Sequence, residues 1–197
     1  MNTTKISLVA TALFAGISST ALATGTIIEI DIIDGEAWGD AGSANNDVIL
    51  FDLTTMYPSA AAGATITGVG WDVTVATNGG SWQSELTFAI TDSLGDSLGV
   101  FLSPGAGSST PGTGTFSSGG IIKLVDAALP DIEITDGIIA IEMYEAFDDP
   151  SGTDNGATLD SITNGTLFLQ IETTDLPAPG GLALLGLAAC SRRRRRR

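Results

Sequence analysis

Ile66-Thr67-Gly68-Val69-Gly70-Trp71-Asp72-Val73-Thr74-Val75 is the stretch that decides the fold class. From Val69 onward apolar and small or polar residues alternate, the period of a β-strand with one buried face. Val69, Trp71, Val73 and Val75 share that face, but Ile66 has the opposite parity. A β-bulge at Gly68 restores the phase, because one extra residue turns every later side chain over. Trp71 then points inward with Val73 and Val75.

Other segments alternate in the same way. Thr26–Ile33 places Ile28, Ile30 and Ile32 on one face and Glu29 and Asp31 on the other. Leu86, Phe88 and Ile90 alternate with Thr87, Ala89 and Thr91. Ile138–Phe147 sets Ile139, Ile141 and Met143 against Glu142 and Tyr144. Thr166–Glu172 sets Leu167, Leu169 and Ile171 against Gln170 and Glu172. Val48–Leu53 is more continuously apolar and reads as central. Leu98–Leu102 and Ile121–Val125 are short runs. Asn78-Gly79-Gly80 reads as a hairpin turn, and Ser103–Gly120, rich in Gly, Pro, Ser and Thr, reads as a long surface loop. No apolar period of 3.6 residues is sustained, and no unit of 20–50 residues repeats. The expectation is an all-β, antiparallel β-sandwich, jelly-roll-like, with eight to nine strands.

Charge narrows the chemistry. All 23 acidic residues lie between Glu29 and Asp175, and Lys123 is the one basic residue of 24–176, giving this stretch a net charge of −22. Such a surface repels phosphates, so nucleic acid is excluded as its partner. The chain has no histidine, which rules out a His-based triad or a His zinc site. A single cysteine, Cys190, permits no internal disulfide.

Both ends read as addresses. Lys5, the apolar run Ile6–Ile17 and the small residues ending Ala21-Leu22-Ala23 follow the order of a signal peptide, with cleavage at the pattern set by Ala21 and Ala23. At the other end Pro177-Ala178-Pro179 precedes an apolar run. Arg192, Arg193, Arg194, Arg195, Arg196 and Arg197, a basic stop, follow it. Leu176–Ser191 is 16 residues. As a transmembrane helix it would span about 24 Å, short of the roughly 30 Å hydrocarbon core. A short anchor suits transient insertion, and the arginines hold the inside face. The expected organisation is 1–23 signal peptide, 24–176 acidic domain and 177–197 sorting signal.

This tail resembles the PEP-CTERM sorting signal of exported proteins, with Ala178 where the family motif has Glu. The resemblance implies signal peptidase and an exosortase-like enzyme as processing partners. It also implies passage through the inner membrane, then a place at the cell surface or outside the cell, where extracellular polysaccharide is a further partner. Gly70-Trp71-Asp72-Val73, Ser81-Trp82-Gln83-Ser84-Glu85, Gly99–Gly105 and Glu142–Asp149 are similar to the β-sandwich cores of such exported proteins, and distantly to P-domain and galactose-binding jelly rolls. This resemblance carries no catalytic motif.

Three kinds of site are left to consider. Paired carboxylates could serve a glycosidase, but Glu142 and Glu145 have opposite parity and point to opposite faces. No catalytic residue is assigned, and a non-catalytic structural or adhesive role is expected. Calcium is the cofactor that oxygen-rich loops outside the cell suit. One loop carries Asp34, Glu36, Asp40, Asn45, Asn46 and Asp47; the other carries Asp148, Asp149, Asp154 and Asn155. Asp40, Asp47, Asp148, Asp149 and Asp154 are the expected metal ligands. Trp38 is the loop-borne tryptophan and the candidate ligand-binding aromatic. Trp82 shares the parity of Leu86 and Phe88 and is expected in the core.

Overall fold

The computed structural model describes residues 25–95, 98–147 and 159–173. Ten strands form: β1 (Thr26–Ala37), β2 (Val48–Asp52), β3 (Ala64–Thr77), β4 (Leu86–Asp92), β5 (Val100–Leu102), β6 (Thr113–Ser117), β7 (Ile122–Lys123), β8 (Ile132–Ile134), β9 (Ile138–Glu145) and β10 (Ser161–Glu172). One sheet has the order β1-β10-β3-β6, the other β2-β9-β4-β5, and every pairing is antiparallel. β7 and β8 continue β6 down the same side of β3, so that ten strands fill eight lanes.

The lanes pair first with last. β1 lies on β10, β2 on β9, β3 on β6 and β4 on β5. The chain is in effect one long hairpin wound over two sheets, a jelly roll. The inner faces supply the core, including Ile28, Ile30, Val73, Phe88, Ile90, Ile139, Ile141, Leu167 and Leu169. Each such side chain contributes roughly 1.5–3 kcal/mol when fully buried.

The bulge expected in β3 is present. Gln170 pairs with Gly68 but Ile171 pairs with Ile66, which leaves Thr67 as the extra residue. Ile66 and Val69 are thereby both buried. A second bulge, between Ile32 and Gly35 of β1, has no counterpart in the sequence reading. Asp34 takes a positive φ there and exchanges two hydrogen bonds with the Asn164 side chain, at 2.9 and 3.1 Å. Gly68 and Gly70 have a different reason to be glycine. The β6–β7 connection crosses the outer face above them, and a Cβ at Gly70 would stand 2.6 Å from the Gly120 carbonyl.

Four expectations are corrected. β2 is an edge strand, not a central one, and its apolar Val48 and Leu50 face outward and are exposed. Asn78-Gly79-Gly80 is a turn but not a hairpin, because β3 and β4 belong to different sheets. The stretch 103–120 contains β6, whose alternating Thr and Gly residues have too little apolar signal to register as a strand. β8, three residues long, escaped the pattern for want of length.

The topology gives the sandwich two unlike ends. Thr26 and Ile171 are register partners, so β1 begins and β10 finishes side by side at one end, the root. The connections β1–β2, β3–β4, β5–β6 and β9–β10 all leave at the opposite end, the tip, and each crosses from one sheet to the other.

Candidate functional site

Every loop that the sequence marked for ligand chemistry springs from the tip. Trp38, Asp40 and Asp47 are in the β1–β2 connection. Trp82 is in the β3–β4 connection, and the Gly/Ser-rich segment joins β5 to β6. The metal candidates Asp148, Asp149 and Asp154 lie outside the described residues, as do Ala21, Ala23, Pro177, Ala178, Pro179 and the arginine run.

The first acidic loop is organised by an amide. Asn46 is buried; its Oδ1 accepts the Trp38 N–H at 2.9 Å, and its Nδ2 donates to the Asp40 carbonyl at 2.9 Å and to Glu142 Oε1 at 2.8 Å. Glu142 Oε1 also accepts the Gly42 N–H at 2.6 Å. Asp47 Oδ2 accepts the Glu36 N–H at 3.0 Å, whereas Asp40 is exposed. Asp40 and Asp47 thus do different work, and among the described residues no three carboxylates converge on a point that could hold a metal.

Trp38 is loop-borne as expected, half-buried, with its indole N–H donated to Glu36 Oε2 at 3.0 Å. The Gly/Ser-rich segment does not stand beside it. The β1–β2 and β5–β6 connections occupy opposite edges of the tip, three strand spacings or roughly 14 Å apart. Trp71 packs against the core as expected. Trp82 does not: it is 44% exposed. Residues 78–85 form turns, so the strand parity that would bury Trp82 begins only at Leu86.

The most unusual chemistry at the tip is inside. Glu142 and Glu145 do point to opposite faces, and Glu145 is on the inner one, in phase with Ile141 and Met143. It is 1% exposed, and Asp160, at the entry to β10, is 3% exposed. The two carboxyl groups lie within hydrogen-bonding reach of each other. Ser81 Oγ donates to Glu145 Oε2 at 3.2 Å. Burial first, then the adjacent Asp160, with a smaller push from Glu85, raises the Glu145 carboxyl to about 9. Two like charges cannot both persist in an apolar interior, so at neutral pH Glu145 keeps its proton. Lys123, on β7, is the only cation among the described residues, and it is exposed.

Backbone bonds tie four segments around this pair. Glu145 N–H donates to the Gly39 carbonyl at 2.9 Å and Ala146 N–H to the Glu85 carbonyl at 2.8 Å. Asp160 N–H donates to the Ala37 carbonyl at 3.0 Å, and Asn78 N–H to the Asp160 carbonyl at 2.8 Å. The arrangement holds a proton; it has no histidine, amine or thiol to work with. Sequence reasoning saw one member of the pair and missed the other. The odd parity of Glu145 was legible and marked an acid on the inner face. Asp160 was not legible, because β10 begins at Ser161, five residues before the alternation that identified it.

No family model matches the chain, and no curated protein matches it. Among solved structures it is similar to the VP2 subviral particle of infectious bursal disease virus, at 12% identity and a TM-score of 0.28, over 93% of this chain and 54% of that one. A nora virus structure is similar at 14% identity and a TM-score of 0.24, over 86% of this chain and 68% of that one. The chain spans about half the length of the bursal disease virus chains that it matches. The jelly-roll assignment rests on the strand order itself.

Proposed function

We propose that this protein is an exported, non-catalytic β-sandwich with a structural or adhesive role at the cell surface or in the extracellular matrix. Its C-terminal segment acts as a PEP-CTERM-like sorting signal. The observation that carries the reading is the order Pro177-Ala178-Pro179, apolar run and six arginines, preceded at the other end of the chain by Lys5, an apolar run and Ala21-Leu22-Ala23. The fold supports it in one respect. β1 begins and β10 finishes together at the root. An anchor continuing from β10 would therefore hold the domain by its root and turn the tip outward. Among the described residues no helix is long and apolar enough to cross a membrane, and Leu176–Ser191 lies outside them. The partners in this reading are signal peptidase, an exosortase-like enzyme and then extracellular polysaccharide.

The test is the intact mass of the protein recovered outside producing cells. Loss of residues 1–23 and of the arginine-bearing tail is expected. A released species that retains Arg192–Arg197 refutes the sorting role. A second reading, a carbohydrate- or calcium-binding module of an exopolysaccharide matrix, is favoured by the gathering of the candidate loops at the outward-facing tip.

A further inference from the structure

Two asparagine–glycine pairs among the described residues sit in unlike stretches of backbone. Asn164-Gly165 is inside β10, where Gly165 is paired with Ile32 on one side and with Val73 on the other. A Cβ at Gly165 would stand 2.3 Å from the Asp72 carbonyl, and the Asn164 amide exchanges two hydrogen bonds with Asp34. Asn78-Gly79 lies just past the last pair of β3 with β10, Thr77 with Ser161. Gly79 takes a left-handed φ of 62°, with open space where a Cβ would be. Both asparagines are exposed, so water reaches both side chains and the backbone is what sets them apart.

We propose that Asn78 is a site of spontaneous deamidation and isoaspartate formation at the tip, and that Asn164 is protected from the same reaction. The Gly79 nitrogen attacks the side-chain carbonyl carbon of Asn78. A C–N bond forms, and the side-chain nitrogen leaves as ammonia, carrying away the proton that Gly79 gives up. Water then opens the five-membered imide, to aspartate at one of its carbonyls and to isoaspartate at the other. Glycine favours the ring closure because it has no side chain to crowd the attacking nitrogen and leaves the backbone free to turn. A strand paired on both sides denies that freedom, so Asn164 reacts only when β10 opens locally. The position of Asn78 gives the change a consequence. Its Nδ2 donates to the Leu159 carbonyl at 3.2 Å and its N–H to the Asp160 carbonyl at 2.8 Å, which ties the β3–β4 connection to the entry of β10. The product carboxylate has no proton to offer the Leu159 oxygen, and isoaspartate adds a carbon to the main chain beside these bonds. The tip therefore loosens as the protein ages. The inference rests on this local geometry and not on the sorting reading, so its failure leaves the processing experiment standing.

The experiment is ageing of the full chain in mildly alkaline buffer, folded and in urea. Chymotryptic peptides are then read by mass spectrometry with fragmentation that separates aspartate from isoaspartate. In the folded protein, conversion at residue 78 should outpace conversion at residue 164 by at least about tenfold, the factor that a local opening cost of about 1.4 kcal/mol gives. In urea the two rates should converge. Asn78→Gln, which would have to close a six-membered ring, should fold and lose the event. Material converted at residue 78, isolated by its added negative charge on anion exchange and missing from Asn78→Gln, should melt roughly 2–4 °C below the starting protein. Equal rates at the two asparagines in the folded protein, or no conversion at residue 78 until the chain is unfolded, overturn the proposal. An unchanged melting point overturns the loosening of the tip.

Discussion

Replacing Glu145 by glutamine in metal-free buffer should stabilise the domain, and the effect should grow with pH. In an unfolded chain this carboxyl ionises near 4.5; in the fold it ionises near 9. Between those values the folded state holds a proton that the unfolded state has released. Folding stability therefore falls as pH rises through this window, by at most about 1.4 kcal/mol per unit. It is flat below 4.5, where both states are protonated, and flat again above 9. At pH 7 the accumulated penalty has a ceiling of about 3 kcal/mol, a large share of the roughly 5–15 kcal/mol that a domain possesses. Glutamine has the same shape, can accept the Ser81 hydroxyl and can donate to Asp160. Glu145→Gln should match the wild type near pH 5 and exceed it by up to about 3 kcal/mol at pH 7. The assay is urea denaturation of both proteins in EDTA from pH 5 to pH 9, with stabilities extrapolated to water. A wild-type stability that is level across that range, or a glutamine variant that is less stable at pH 8, would refute the reasoning.

Two further predictions concern the rest of the sandwich. At the root, burial pushes the Asp92 carboxyl up, but the Leu94 N–H and the Thr135 hydroxyl and N–H outweigh it and hold its pKa below the ordinary 3.8. Its contribution is thus present above that value and lost as pH falls below it. Asp92→Asn turns an N–H donor toward these donors and should cost about 1–3 kcal/mol at pH 7, read by urea denaturation, with the deficit shrinking in acid. Gly70→Ala forces a Cβ against the Gly120 carbonyl at 2.6 Å and should cost roughly 1–3 kcal/mol, whereas Gly79→Ala, with open space but a positive φ, should cost less; equal losses would count against the crossing of the β6–β7 connection.

The sequence by itself determined the class of fold, because a two-residue period records which face of a strand is wet. It also located the bulge to within one residue, at Gly68 beside the extra Thr67, since a parity change has no other cheap cause in a continuous strand. It excluded histidine chemistry by composition alone. What it could not convey was which strands are neighbours. Val48–Asp52 is as apolar as a central strand yet lies at an edge, and Trp82 has core parity yet lies in a turn, because burial depends on what covers a face and not on the residue's own pattern. The pairing of β1 with β10, which brings the two ends of the domain together at the root, is a contact between residues 124 to 145 positions apart. The same holds for the carboxyl pair. The inward phase of Glu145 was written in its strand, but Asp160 becomes its partner only when β9 and β10 cross from sheet to sheet at the tip. Two acids 15 residues apart have no electrostatic relation in an extended chain. In the fold they share one dry interior, and there a proton stands between them.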